Sequence, residues 1–192
     1  MRPLHSEMRP KNRMESRWYA LKVFYNKITP IREAMKSDSA ENGIADFDTF
    51  VPVCVVEEPG EEGLRYVEKQ LVNSLLFVHC PREWLMRFKQ DHASSFLWYG
   101  LPGDSRYPAP IDDREMRSFV ILTSGGRPVE YLGSTITDLK RGQKVRVTGG
   151  LYEGAEGYIK RVRRNRRFLV AITGVAVVAV SYIRPEFLEA IE

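Results

Sequence analysis

Hydrophobic and polar positions divide the chain into a mixed first part and an all-strand second part. Trp18-Tyr-Ala-Leu-Lys-Val-Phe-Tyr25 is rich in aromatic and β-branched residues, which suit a half-buried pleated surface, and predicts a first strand. Asn26 is placed to cap a helix running to about Asn42: Ile28, Ile31 and Met35, with Ala34 beside them, recur at helical spacing, Pro30 lies in the first turn, and Gly43 ends the helix. Phe47 to Val56 predicts a second strand, interrupted at Pro52. The charged stretch Glu57 to Gly63 predicts a projecting hairpin tip, and Leu64 to Lys69 its returning arm. Leu71 to Cys80 is mostly apolar, as a central strand covered on both faces should be. Pro81 opens a helix from Arg82 to about Gln90 with Trp84, Leu85 and Phe88 on its inner side. Phe96 to Tyr99 is a further strand, followed by a proline-rich loop to Pro110. Asp112 then caps a last helix with Met116, Phe119, Val120 and Leu122 as its stripe.

Each of these helices has one apolar stripe to hide, so the natural arrangement is α+β: an antiparallel sheet flanked by helices. Gly125, Gly126 and Pro128 mark a linker, taken to span 123–137. From Asp138 onward the pattern is strand only. Val145 and Val147 share one face, glycines fall at 149, 150, 154 and 157, and strand character resumes at Tyr158 and Ile159. Glycine reaches positive φ in such a loop, and inside the returning strand it lets another backbone approach closely. Tyr158 to Val162 should pair with Phe168 to Ile172, with Asn165 taking positive φ at the hairpin tip, before Gly174 turns the chain into Val175 to Val180. Five short strands in so few residues suggest a small SH3-like β-barrel, whose closure hides its sheet edges.

Charge and composition sharpen this division. The chain has 192 residues and a net charge of +4. Residues 1–17 carry five basic and two acidic groups, residues 18–137 carry 13 and 17, and residues 138–192 carry 11 and 6. A mildly acidic middle between basic ends suggests two units with different partners. Residues 1–16 are polar and without period, so they read as a disordered leader ahead of a unit at 17–122, and 138–192 reads as a second unit. No apolar run is long enough to span a bilayer, and the leader lacks the apolar segment of a secretory signal, so a cytoplasmic location is expected. Cys54 and Cys80 sit in apolar, strand-like contexts and are expected as reduced, packed thiols; the three histidines have no ligand spacing with them, and no metal or cofactor site is expected.

The motif Val145-x-Val-x-x-Gly150-x-Tyr152-x-Gly154-x-x-Gly157-x-Ile159 resembles the KOW motif of ribosomal proteins and NusG-type factors, with Gly149 beside it. Together with an upstream α+β unit that opens on Trp18-Tyr19, the chain resembles the NusG family of transcription elongation factors over residues 18–188. The resemblance implies a monomer whose first unit binds the clamp region of RNA polymerase, close to the non-template DNA, and suppresses pausing or termination. It implies a second unit that recruits another partner, such as a ribosomal protein. Divergence in the first unit makes the chain look like a specialised, operon-restricted antiterminator of the kind acting on surface-polysaccharide operons. Where the family has a Phe-Pro-Gly-Tyr stretch in its polymerase-binding depression, this chain has Val72-Asn73-Ser74-Leu75. Val72 and Leu75 therefore stand at the implied polymerase contact, and Trp18, Tyr19, Trp98 and Tyr99 are available to supply aromatic area.

A basic run, Lys160, Arg161, Arg163, Arg164, Arg166 and Arg167, falls on the second unit's hairpin and could neutralise phosphates of nascent RNA. No aromatic platform is interleaved, which argues against base-specific reading. The competing function is accordingly a ribosome-associated or RNA-binding KOW protein. An enzyme is disfavoured, because no nucleophile–base constellation or phosphate loop is present, and Asp112-Asp113 suit a helix cap and its first turn better than a catalytic pair.

Overall fold

The computed structural model describes residues 15–24, 27–61, 63–101, 103–134, 142–162, 164–181 and 183–192. Most of the expected leader, the cap position Asn26 and Arg163 lie outside them. Strand β1 (Ser16–Val23) is central to the first sheet, pairing antiparallel with β5 (Leu75–Pro81) along one edge and with β6 (Phe96–Trp98) and β9 (Pro110–Ile111) along the other. β2 (Asp48–Phe50) extends the sheet beyond β5. The mostly apolar run 71–80 thus becomes strand only at Leu75; the residues before it turn into the sheet, with Leu75 N–H donating to Val72 C=O at 3.2 Å.

Side chains of a strand alternate between faces, and the first sheet uses both. Tyr19, Leu21 and Val23 join Leu76, Val78 and Cys80 on the face covered by α1 (Ile28–Glu41) and α2 (Arg82–Asp91). Ala20, Leu75 and Phe77 lie on the other face, under α3 (Asp113–Thr123). The helix stripes hold: Ile28, Ile31 and Met35, then Trp84, Leu85 and Phe88, then Met116, Phe119 and Leu122 are all buried, while Val120 is only half-buried. Asp112 caps α3, its carboxylate accepting from Arg114 N–H at 2.8 Å and Glu115 N–H at 3.4 Å. α1 has no such cap, since Lys27 occupies the position without a side-chain bond.

The acidic hairpin is a two-stranded ribbon of its own, β3 (Val53–Gly60) against β4 (Gly63–Gln70), with strands that reach farther into the tip than its charge suggested. The proline-rich segment also contains a short pairing, β7 (Gly100–Leu101) with β8 (Asp104–Pro108).

The second sheet runs β10 (Glu130–Tyr131), β14 (Ala176–Val180), β13 (Asn165–Ile172), β12 (Glu156–Val162), β11 (Gln143–Val147), β15 (Leu188–Ala190). Four sequence expectations change here. β10 lies inside the stretch taken as linker, and its backbone completes an edge of β14. β15 adds a strand that its sequence does not advertise. Among the described residues the six strands form an open path whose ends do not pair, so the sheet is not a closed barrel. At the β12–β13 turn positive φ falls on Arg164 (φ 75°), not Asn165, which is already in the ladder opposite Val162.

The units expected at 17–122 and 138–192 share buried core among the described residues. Phe77, Met116, Phe119 and Leu122 belong to the same buried cluster as Val145, Phe168, Val170, Ile172 and Val178. Polar bonds reinforce it: Ser118 Oγ accepts from Glu156 N–H at 2.9 Å, and the Glu115 carboxylate accepts from Thr173 N–H (3.1 Å) and Oγ1–H (2.8 Å). α3 has a second apolar side, and the second sheet is what covers it.

Candidate functional site

The six residues expected at a protein interface separate by depth. Tyr19 is 3% exposed and Leu75 1%, so both are core, and a partner cannot touch them in this conformation. Burial pushes the Tyr19 phenol up to about 12, with further upward pressure from Cys80 and opposing pull from Arg82. Trp18, Val72 and Tyr99 are half-buried against the cluster that α3 and the second sheet share. Trp18 also leans on the His79 ring, with centroids 5.2 Å apart. Burial raises the Tyr99 phenol, and the nearby Tyr131 hydroxyl of β10 adds to the effect. Trp98 is half-buried on the opposite face, its indole N–H donating to Ser105 C=O at 2.8 Å.

Exposed apolar area lies nearby. Leu97 is 52% and Leu101 60% exposed, two residues before and after Tyr99. Alternation places Leu97 on the face opposite buried Phe96, and there it lies exposed beside Lys22. Arg82 and Arg106 each stand 5.9 Å from the exposed Tyr107 ring, adding a cationic margin to that edge.

The glycine-rich loop does what its residue types require. Gly150 (φ 80°) and Gly154 (φ 85°) take the left-handed conformation. Gly157 has another reason: a Cβ there would lie 2.3 Å from Leu169 C=O and 2.9 Å from the Phe168 ring. Gly149 faces the Phe187 ring, which would stand 3.1 Å from an added Cβ. Beside this loop is a cleft of about 450 Å³ lined by Val147, Tyr152, Val180 and Phe187, with Arg127 and Arg184 also lining it. Burial raises the Tyr152 phenol, and the Arg127 guanidinium pulls the other way.

The basic run lies on the β12–β13 hairpin. Its register sets Lys160 opposite Arg167 and Arg161 opposite Arg166, with Arg164 at the turn. Arg167 is half-buried and ion-paired with Glu130 of β10, while Arg161, Arg164 and Arg166 are exposed. The hairpin and the Leu97–Leu101 edge belong to different sheets, so the structure does not gather the two expected sites into one. Among the described residues no cluster of His, Cys, Asp and Glu could hold a metal ion, and no helix is long and apolar enough to cross a membrane. Cys54 and Cys80 are both unpaired thiols, pushed up by burial, Cys80 the more strongly.

The family model described as transcription termination factor NusG matches residues 16–120, from the first residue of β1 into the last turn of α3. The chain belongs to the NusG family. The match takes in the whole first sheet and most of α3, and stops short of the second sheet. Among solved structures, one on domain interaction in Thermotoga maritima NusG aligns at 19% identity and TM-score 0.46, covering 93% of this chain and 99% of that one. Two MjSpt4:Spt5 complex structures align at 11% identity with TM-score 0.33 (conformation B, 91% and 96% covered) and 10% with 0.29 (conformation A, 91% and 97%). Comparison with the curated proteins finds no match. Membership in the NusG family rests on the family match alone.

Proposed function

We propose that this NusG-family protein is a transcription elongation and antitermination factor that binds RNA polymerase near its clamp and reduces pausing or termination on a restricted set of operons. The observation that carries the reading is the family match over 16–120, which encloses the sheet and helices that hold Trp18, Val72, Trp98 and Tyr99. The exposed Leu97 and Leu101 beside Tyr99 supply a solvent-facing apolar edge for that contact, as a partner-binding surface needs at its centre. The protein works by binding, with no chemistry of its own, as a cytoplasmic monomer. Residues 17–122 are the polymerase-binding unit. Residues 138–192 are a KOW unit, with Gly149, Gly150, Gly154 and Gly157 shaping its loop, that contacts a further partner such as a ribosomal protein.

The test is transcription in vitro across a pause site and a terminator, with retention of the protein on immobilised core polymerase measured in parallel. The reading requires retention and increased readthrough, both reduced by the double substitution Leu97→Asp and Leu101→Asp. Absence of retention, alongside a control factor that is retained, refutes it.

A further inference from the structure

The β12–β13 ladder breaks a rule that the other ladders of this molecule keep. Like charges set directly across a strand pair destabilise it, and opposite charges support it. Glu58 of β3 stands opposite Arg65 of β4 and pairs with it at 3.4 Å; Arg146 of β11 stands opposite Glu156 of β12 at 2.7 Å. On β12–β13 two consecutive rungs set cation against cation, Lys160↔Arg167 and Arg161↔Arg166, and the next residues lead into Arg164 at the turn. Arg164 itself adopts φ 75°, the left-handed conformation that a side chain other than Asn, Asp or Gly rarely takes.

Alternation then sorts these cations by face. Lys160 and Arg167 lie on one side, where Glu130 of β10 answers Arg167. Arg161 and Arg166 lie on the other, the side of Ile159 and Phe168, and Arg164 stands at the end. All three are exposed, and among the described residues no carboxylate pairs with them. The register sets Arg161 opposite Arg166 with Arg164 at the turn end, an arrangement that suits a row of negative charges. No aromatic ring is interleaved in 160–167, so nothing on the ribbon stacks on bases.

The geometry points to a binding site for the sugar–phosphate backbone of nucleic acid, formed by Arg161, Arg164 and Arg166, reading charge and not sequence. It stands independently of the polymerase contact, which lies on the other sheet.

Binding of short fluorescein-labelled oligouridylate and of a short DNA duplex is followed by anisotropy as salt is raised. Replacing all three arginines by serine should lower the salt slope, d log K/d log[salt], by about 2 for RNA and about 2.7 for duplex, from roughly −0.7 and −0.9 per phosphate contact. At ~50 mM salt the affinity should fall at least about tenfold, while lysine at all three positions should keep most of it. A control that removes the same charge from the first unit, Lys22→Ser, Lys27→Ser and Lys36→Ser, should bind like the parent. Preference between RNA and duplex identifies the source of the phosphates. If the serine variant does not fold, phenylglyoxal modification of the unsubstituted protein decides: bound nucleic acid must shield Arg161, Arg164 and Arg166. Absence of binding by the parent, equal loss in the lysine control, or unshielded arginines would overturn the site.

Discussion

Gly157→Ala separates two reasons for glycine in the stretch that runs from β11 into β12. Gly157 does not have positive φ, so backbone conformation permits alanine. Space does not: the new Cβ would sit 2.3 Å from Leu169 C=O, where ordinary contact begins near 3.4 Å. Relief requires β12 and β13 to part by roughly 1 Å, which strains the rungs at Tyr158↔Leu169 and Ile159↔Phe168 and displaces the buried Phe168 ring. Overpacking a tight interior costs about 1–3 kcal/mol, and a weakened ladder bond or two adds about 1 kcal/mol each, giving about 2–5 kcal/mol. For a chain of this length that lowers Tm by roughly 4–20 °C. Gly154→Ala is the comparison, because Gly154 has φ 85° but open space, with only Ile121 Cδ1 at 3.8 Å. Its conformational cost is about 1–2 kcal/mol. Thermal melts followed by circular dichroism should rank parent, Gly154→Ala, Gly157→Ala in falling order. A Gly157→Ala melt within the range of Gly154→Ala would show that β12 and β13 have room to separate, and the close-approach argument fails.

Three further outcomes follow from burial and bonding. Ser118→Ala takes away the acceptor of Glu156 N–H, so it should cost about 1–3 kcal/mol while unfolding remains a single transition, since α3 and the second sheet share one core; two resolved transitions would contradict that. Tyr19 titrates near 12 when folded and near 10 when unfolded, so its contribution is complete below pH 10 and is lost as pH rises towards 12. Tyr19→Phe should therefore flatten the alkaline fall in stability by about 2 kcal/mol, measured as urea midpoints across that window, and an unchanged fall removes Tyr19 as its source. With a disulfide reagent at mildly alkaline pH, half-buried Cys54 should react before buried Cys80, whose thiol burial holds further from ionisation; the opposite order, mapped by mass spectrometry, would contradict the packing of β5.

Docking of the second sheet on α3 changes how the expected interface is understood. Leu75 and Tyr19 are apolar and sit at or near the resembled contact, yet the sheet needs both for its own core. Leu97 and Leu101, two residues either side of Tyr99, are the exposed apolar residues next to it. A partner at that edge would meet Tyr99 close to Tyr131, so binding there and the seating of β10 are neighbours in space.

Local rules written into the sequence determined the elements with short-range causes. Helix stripes such as Trp84, Leu85 and Phe88, the Asp112 cap, the Gly43 and Gly174 turns, and Gly157 at a close approach all follow from spacing or from backbone permissions a few residues wide. Tertiary structure decided what depends on distant partners. Glu130–Tyr131 is strand only because β14 offers its edge, and Leu188–Ala190 only because β11 does; neither segment has a period of its own. The depth of an apolar residue is likewise set by what covers it, so Tyr19 and Leu97 could not be told apart as core and surface until the helices and the second sheet were in place. Charge reads the same way: the sequence shows six cations within eight residues, but only the register reveals which face one another and which one Glu130 neutralises.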